Sequence, residues 1–227
     1  MIGVLLALLF IAYTGTASAS TIYVPDNYST IQSAVNAASP GDTIIVRDGT
    51  YIENIEVNKR LTIRSENGSD STIVRAEDPK EHVFEVTEDY VNISGFTVED
   101  ATWWCSDGIS LYHANYCNIS NNICSNNGYG ISLYHNSNNN SVANNKCTNN
   151  RRAGILLENS NNNKLTGNVM LGNGIVIEGH VPTKRRPFPP VITGYSLTYY
   201  EQEIDTSNTV NGKTSLLLER CRRRKNS

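Results

Sequence analysis

Charge is scarce in this sequence. Asp, Glu, Lys and Arg together supply 18% of its 227 residues, against 39% hydrophobic. That balance excludes the charged, weakly apolar kind of chain that stays disordered. Beyond the first twenty residues there is no long apolar run, so no span of a bilayer is expected in the mature chain. Cys105, Cys117, Cys124, Cys147 and Cys221 are odd in number and irregular in spacing, which excludes the disulfide framework of small secreted domains. A basic body is lacking too. The formal net charge is −3, yet residues 219–227 alone sum to +4 and leave −7 on the rest. An acidic body carries no electrostatic footprint for nucleic acid, so that partner class is excluded.

What the chain has in plenty is asparagine. Residues 118–150 contain thirteen, interleaved with regularly placed Ile, Val and Leu. The first residues are different again. Val4 to Tyr13 is an apolar run and Ala17-Ser18-Ala19 has the A-x-A form of a cleavage site, so residues 1–19 are expected to be a signal peptide. No basic residue precedes the run, which departs from the usual leader. The expected destination is secreted, periplasmic or cell-surface. Asn27, Asn67, Asn92, Asn118 and Asn139 each head an Asn-x-Ser triplet, an acceptor form that an Asn/Ser-rich chain produces readily.

The sequence repeats. Ser120 to Asn127 superimposes on Ala143 to Asn150 at a shift of 23, and Thr166 to Asn173 follows at a further 23. A second column starts at Gly108, Gly130, Gly154 and Gly174, each opening a Gly-Ile run, with spacings of 22, 24 and 20. Each unit holds short alternating apolar and polar runs, too brief for helices and punctuated by Gly and Asn at turns. A unit so small cannot bury its own apolar face and must stack on its neighbours. The expected fold is therefore all-β: a single-stranded right-handed parallel β-helix solenoid. Identical positions then stack, Ile109 with Ile131 and Ile155, Leu111 with Leu133 and Leu157, and Asn122 with Asn145 and Asn168 at a turn. Ser29 to Ala38 reads as one amphipathic helix capped by Ser29 or Thr30 and stopped by Pro40-Gly41, a short N-terminal plug over the open end. The coil is expected over residues 20–179 and 201–213, with a Pro-rich loop insertion at 180–200.

Ile22-Tyr23-Val24-Pro25, Tyr28 to Val35, Pro40 to Ile44 and Gly49-Thr50-Tyr51 resemble the N-terminal cap of right-handed β-helix proteins. Together with the Gly-Ile-x-Leu and Asn-Asn columns and Glu203 to Lys213, they resemble the NosD-like family of carbohydrate-binding and sugar-hydrolase-like surface proteins. The likeness runs from about Ile22 to Lys213. After it the basic stretch 214–227 departs from the pattern and reads as a frameshift or truncation, or else as a tail for anionic surfaces.

With that resemblance the chain is read as an exported scaffold for a polysaccharide or cell-surface glycan, with neither catalysis nor a cofactor expected. The candidate sugar-binding residues are Tyr112 and Tyr134, which recur at a shift of 22 and are expected to face outward and stack, with Trp103 and Trp104 ahead of the same strand. The alternative is a polysaccharide-active hydrolase or lyase using Glu99, Asp100 and Asp107. A hydrolase needs two flanking carboxyls, and a lyase needs a base with carboxylates for calcium. Asp107-Gly108 resembles part of the Asp-Gly element of polygalacturonases, but the paired acids and Gly-His-Gly of that family, and the catalytic elements of pectin methylesterases, have no counterpart here. A third reading is an accessory protein for copper-enzyme maturation, with His113 and His135 as candidate ligands.

Overall fold

A run such as Asn118–Ser120 or Ile123–Ser125 sets one buried residue between two half-buried ones, so three residues are enough to send one side chain inward. The computed structural model describes residues 18–178 and 202–214, and in it such strands build a parallel β-helix of about seven turns. Each full coil gives one strand to each of three sheets, two of eight strands and one of six. Among the described residues every pairing is parallel except that of Thr209–Val210 with Lys213–Thr214. The predicted all-β solenoid is thus the fold, and the strands Glu203–Ile204 and Thr209–Val210 extend two of its sheets. Residues 1–17, where most of the expected signal peptide falls, the segment 179–201 and the basic end beyond 214 lie outside the described residues.

The interior is three ladders of side chains. Ile109, Ile131 and Ile155 pair in register in the six-stranded sheet, beside Leu111, Leu133 and Leu157. Ile63, Ile93, Ile119, Val142 and Leu165 form the second ladder. Val74, Val98, Cys124, Cys147 and Met170 form the third, with the two thiols acting as small apolar groups. All of these are buried. Fully burying one Ile or Leu contributes roughly 1.5–3 kcal/mol, so the ladders are the main source of stability.

Strands this short end often, and each end leaves backbone groups to satisfy. The Asn doublets do this. The first residue of a doublet, Asn121 or Asn144, takes the left-handed conformation that turns the corner (φ 56° and 55°). The second turns inward and bonds along the axis. Asn145 Oδ1 accepts from the Asn122 backbone N–H (3.0 Å) and Nδ2 (3.2 Å), while its own Nδ2 donates to the Ile119 carbonyl (2.8 Å). The same set recurs at Asn168 and ends on Asn208. Two further columns, Asn127–Asn150 and Asn140–Asn163, serve the other corners.

The glycine column has a different cause from the left-handed turns expected of it. Gly108 and Gly130 do not carry positive φ; a Cβ there would stand 2.7 Å and 2.6 Å from the carbonyl oxygens of Gly130 and Gly154 on the next coil. Close approach, not backbone freedom, requires glycine at these places.

The N-terminal helix spans Ile31–Ala37, one turn shorter than Ser29 to Ala38. Thr30 is its N-cap, and Ile31, Ala34 and Val35 are buried. The first coil clamps both of its ends. Glu53 accepts from the N–H groups of Ile31 and Gln32 (both 2.9 Å), and Lys59 Nζ donates to the carbonyls of Val35, Asn36 and Ala38. An anion at the N-terminus and a cation at the C-terminus match the helix dipole.

Asn145→Ala strands three buried groups in one step and is expected to cost about 3–6 kcal/mol. Asn138→Ala, at the half-buried part of a corner, is expected to cost about 1 kcal/mol. Urea unfolding followed by circular dichroism compares the two; equal losses would refute the inward Asn column as a stabilising element.

Candidate functional site

The period of two along the six-stranded sheet sends Ile109 and Leu111 inward and turns Ser110 and Tyr112 outward. Tyr112 is exposed (42%). Tyr134 is its register partner, but only half-buried and not stacked upon it as expected: Tyr112 stands edge-on to His113 (4.6 Å) and His135 (5.2 Å). Tyr134 is drawn down onto a second, outer apolar cluster of Tyr129, Ala153 and Leu156. Burial, followed by the charge of Asp107, pushes its phenol well above the ordinary value.

Asp107 lies beneath this cluster with no exposed surface. Its carboxyl accepts from Ser132 Oγ (2.5 Å) and the Tyr129 N–H (3.1 Å), and stands 3.6 Å from His82 Nδ1. Burial raises its pKa against the opposing pull of His82 and the hydrogen-bond donors. Glu99 and Asp100 have another partner. Arg75 Nε lies 2.6 Å from Glu99 Oε1 and 3.7 Å from Asp100 Oδ2. Two of the three candidate acids are therefore neighbours held by one guanidinium, and the third is sealed among hydroxyls.

Trp103 and Trp104 ride on the segment that leads into the sheet, exposed by 57% and 55%. Gly128 fixes that segment: its N–H donates to the carbonyls of Ser106 (2.8 Å) and Ala101 (2.9 Å), and a Cβ on it would come within 3.0 Å of the Trp103 carbonyl oxygen. Cations then brace the rings. Lys80 lies over Trp103 (5.6 Å), Arg151 and Arg152 over Trp104 (5.3 and 4.8 Å), and Arg152 also over Tyr129 (4.6 Å). The two indoles thus stand as fixed, half-open apolar plates.

Sequence reasoning missed a further aromatic pair at the opposite corner. Tyr90 and Tyr116, both more than half exposed, stack face to face with centroids 5.1 Å apart and planes 10° from parallel. The signal was present in Tyr90-Val91-Asn92-Ile93-Ser94 against Tyr116-Cys117-Asn118-Ile119-Ser120, hidden by a shift of 26 rather than 23. His113 and His135 lie at this corner with ring centroids 5.9 Å apart.

Fold and surface together define a parallel β-helix that carries exposed aromatic rings on one sheet face and one corner. The chain matches the family model described as "Periplasmic copper-binding protein (NosD)" over residues 35–184, and it belongs to that family. It is 32% identical over 127 residues to a cell surface glycoprotein of Methanothermus fervidus, an alignment that covers 54% of this chain and 20% of that protein. The chain therefore spans only a fraction of that relative's length. Among solved structures, an alginate lyase from Paenibacillus sp. str. FPU-7 superimposes with a TM-score of 0.50 at 18% identity, over 70% of this chain and 75% of that one. That likeness is one of fold.

The family's description raises copper, and the described residues do not fit a copper centre. No group of three or more His, Cys, Asp or Glu side chains converges among them. Cys124 is fully buried, and its hydrogen bond with Cys147 together with burial holds its pKa well above the ordinary thiol value, whereas a thiol must ionise to bind metal. His113 and His135 are a pair without a third partner among the described residues.

The raised pKa of Asp107 has a signed consequence. A carboxyl that binds its proton more tightly when folded stabilises the fold below its unfolded pKa and loses that contribution as pH rises through its folded pKa. Asp107→Asn is expected to flatten the decline of Tm with rising pH on the alkaline side of pH 4. Thermal melts from pH 4 to 8 decide it; parallel curves for the two proteins would refute the assignment.

Proposed function

We propose that this protein is an exported, non-catalytic β-helix that binds carbohydrate at the cell surface or in a periplasm. The exposed indoles of Trp103 and Trp104, braced by three cations, carry the reading, with exposed Tyr112 on the strand that follows them. Rigid aromatic plates dock the apolar faces of sugar rings at little entropic cost, and large exposed rings on a soluble scaffold mark a contact surface. Tyr134, half-buried against the outer cluster, supports the sheet face rather than serving as a second plate. The family's periplasmic description and the cell-surface relative support export.

A non-catalytic role fits the state of the candidate acids. Arg75 neutralises Glu99, and Asp107 exposes no oxygen to a glycan. Neither offers the pair of free carboxyls that glycoside hydrolysis uses.

A glycan array with the purified mature chain tests the reading. Trp103→Ala/Trp104→Ala is expected to weaken the best-bound glycan at least tenfold, about 1.4 kcal/mol, and Tyr112→Ala to weaken it less. A folded protein that binds no glycan, or binds equally well without the two indoles, would overturn it.

A further inference from the structure

The five Asn-x-Ser acceptors stand in unlike surroundings. Asn92 and Asn118 lie within the strands Asn92–Ser94 and Asn118–Ser120, half-buried, with their amides donating to Thr62 Oγ1 (3.2 Å) and Ser120 Oγ (3.5 Å). Asn67 is exposed, but its Nδ2 donates to Asp48 Oδ1 (2.9 Å). Asn27 is exposed in a turn, its Oδ1 accepting from the Tyr23 N–H (2.7 Å). Asn139 differs from all four. It is exposed at a corner in the left-handed conformation (φ 58°), and its side-chain amide makes no hydrogen bond among the described residues.

Its place in the coil adds a second, independent observation. Asn92, Asn118 and Ser141 are register partners on successive coils. Two residues earlier, the same column reads Tyr90, Tyr116 and Asn139. The Tyr90 and Tyr116 rings are parallel and stacked along this column, so one face of Tyr116 is covered by Tyr90 and the other looks toward the coil of Asn139. The ring is still 52% exposed. An apolar plate therefore lies one coil spacing, ~4.8 Å, from an unengaged acceptor amide.

We propose that Asn139 is an N-glycosylation site, and that the first sugar of its glycan continues the stack by packing on the free face of Tyr116. The donor is a polyprenyl-diphosphate-linked oligosaccharide used by a membrane transferase. The bond from sugar C1 to the lipid phosphate oxygen breaks, and a bond from C1 to Asn139 Nδ2 forms. The amide proton passes to a base of the transferase, and the polyprenyl diphosphate leaves. The modification adds a bulky, solubilising group at a corner where the chain already turns outward. The second part follows from the same physics that docks sugar rings on aromatic faces. In cells the modification rests on the export part of the reading above; a reaction with purified components does not pass through export, so the two fail separately.

The test uses the full chain, folded and unglycosylated, with a purified single-subunit oligosaccharyltransferase and a synthetic polyprenyl-diphosphate oligosaccharide that begins with an N-acetylhexosamine. Peptide mass mapping reads transfer at each acceptor. In the folded chain Asn139 is expected to be modified at least tenfold faster than Asn92 and Asn118, and in urea-unfolded chain the difference is expected to vanish. An unmodified Asn139 in the folded chain, or one modified no faster than Asn92 and Asn118, would overturn the site. Thermal melts test the stack. The glycan is expected to raise Tm by about 2–4 °C in the parent and by nothing in Tyr116→Ala, which keeps the acceptor. An equal rise in both would remove Tyr116 from the proposal.

Discussion

Every coil of this protein must end three strands within some twenty-three residues, and each ending exposes backbone groups that neither sheet nor water can reach. The inward asparagines meet that demand. Each uses its carbonyl for a backbone N–H on the preceding coil and its amino group for a carbonyl there, as Asn145 does with Asn122 and Ile119. The side chain acts as a splice between strands in different sheets. Without it the corners would be buried and unsatisfied, and the interior ladders of Ile, Leu and Val could not close around a common axis. Stability therefore accrues between neighbouring coils rather than within any one of them.

The same constraint explains where function can reside. The ladder bonds fix register, and register fixes which side chains point outward, so the outer rings are placed to within the tolerance of the backbone. Insertions are free only where a corner is long. The segment carrying Trp103 and Trp104 is such an insertion, tied down through Gly128 and braced by Lys80, Arg151 and Arg152. Asp107 and Tyr134 show the complementary case: polar outer residues, one sealed and one half-buried, beside a second, minor core.

Much of this was legible in the residues. The shift of 23 exposes the Asn122, Asn145 and Asn168 column and the Ile109, Ile131 and Ile155 ladder, because stacking of identical positions needs no knowledge of distance. The helix was legible from its cap and its Pro-Gly stop. What escaped depends on corners of unequal length. Tyr90 and Tyr116 are separated by 26 residues because the coil between them holds the Trp103 segment, so a fixed period slides past the pair. The burial of Asp107 escaped for a related reason: its partners Ser132 and Tyr134 lie 25 and 27 residues away, across a coil boundary that alternation alone does not cross. Arg75 as the holder of Glu99 was equally silent, since a charge pair 24 residues apart leaves no local pattern.

The clamp on the capping helix also sets an order of events. Glu53 and Lys59, which grip the two ends of Ile31–Ala37, are both made after the helix they hold. During synthesis the helix emerges first and has no anchored resting place until the chain has travelled through residue 59. The open end of the solenoid is thus closed retroactively, by the first coil reaching back, and nascent chains shorter than this present an unsealed edge to whatever they meet.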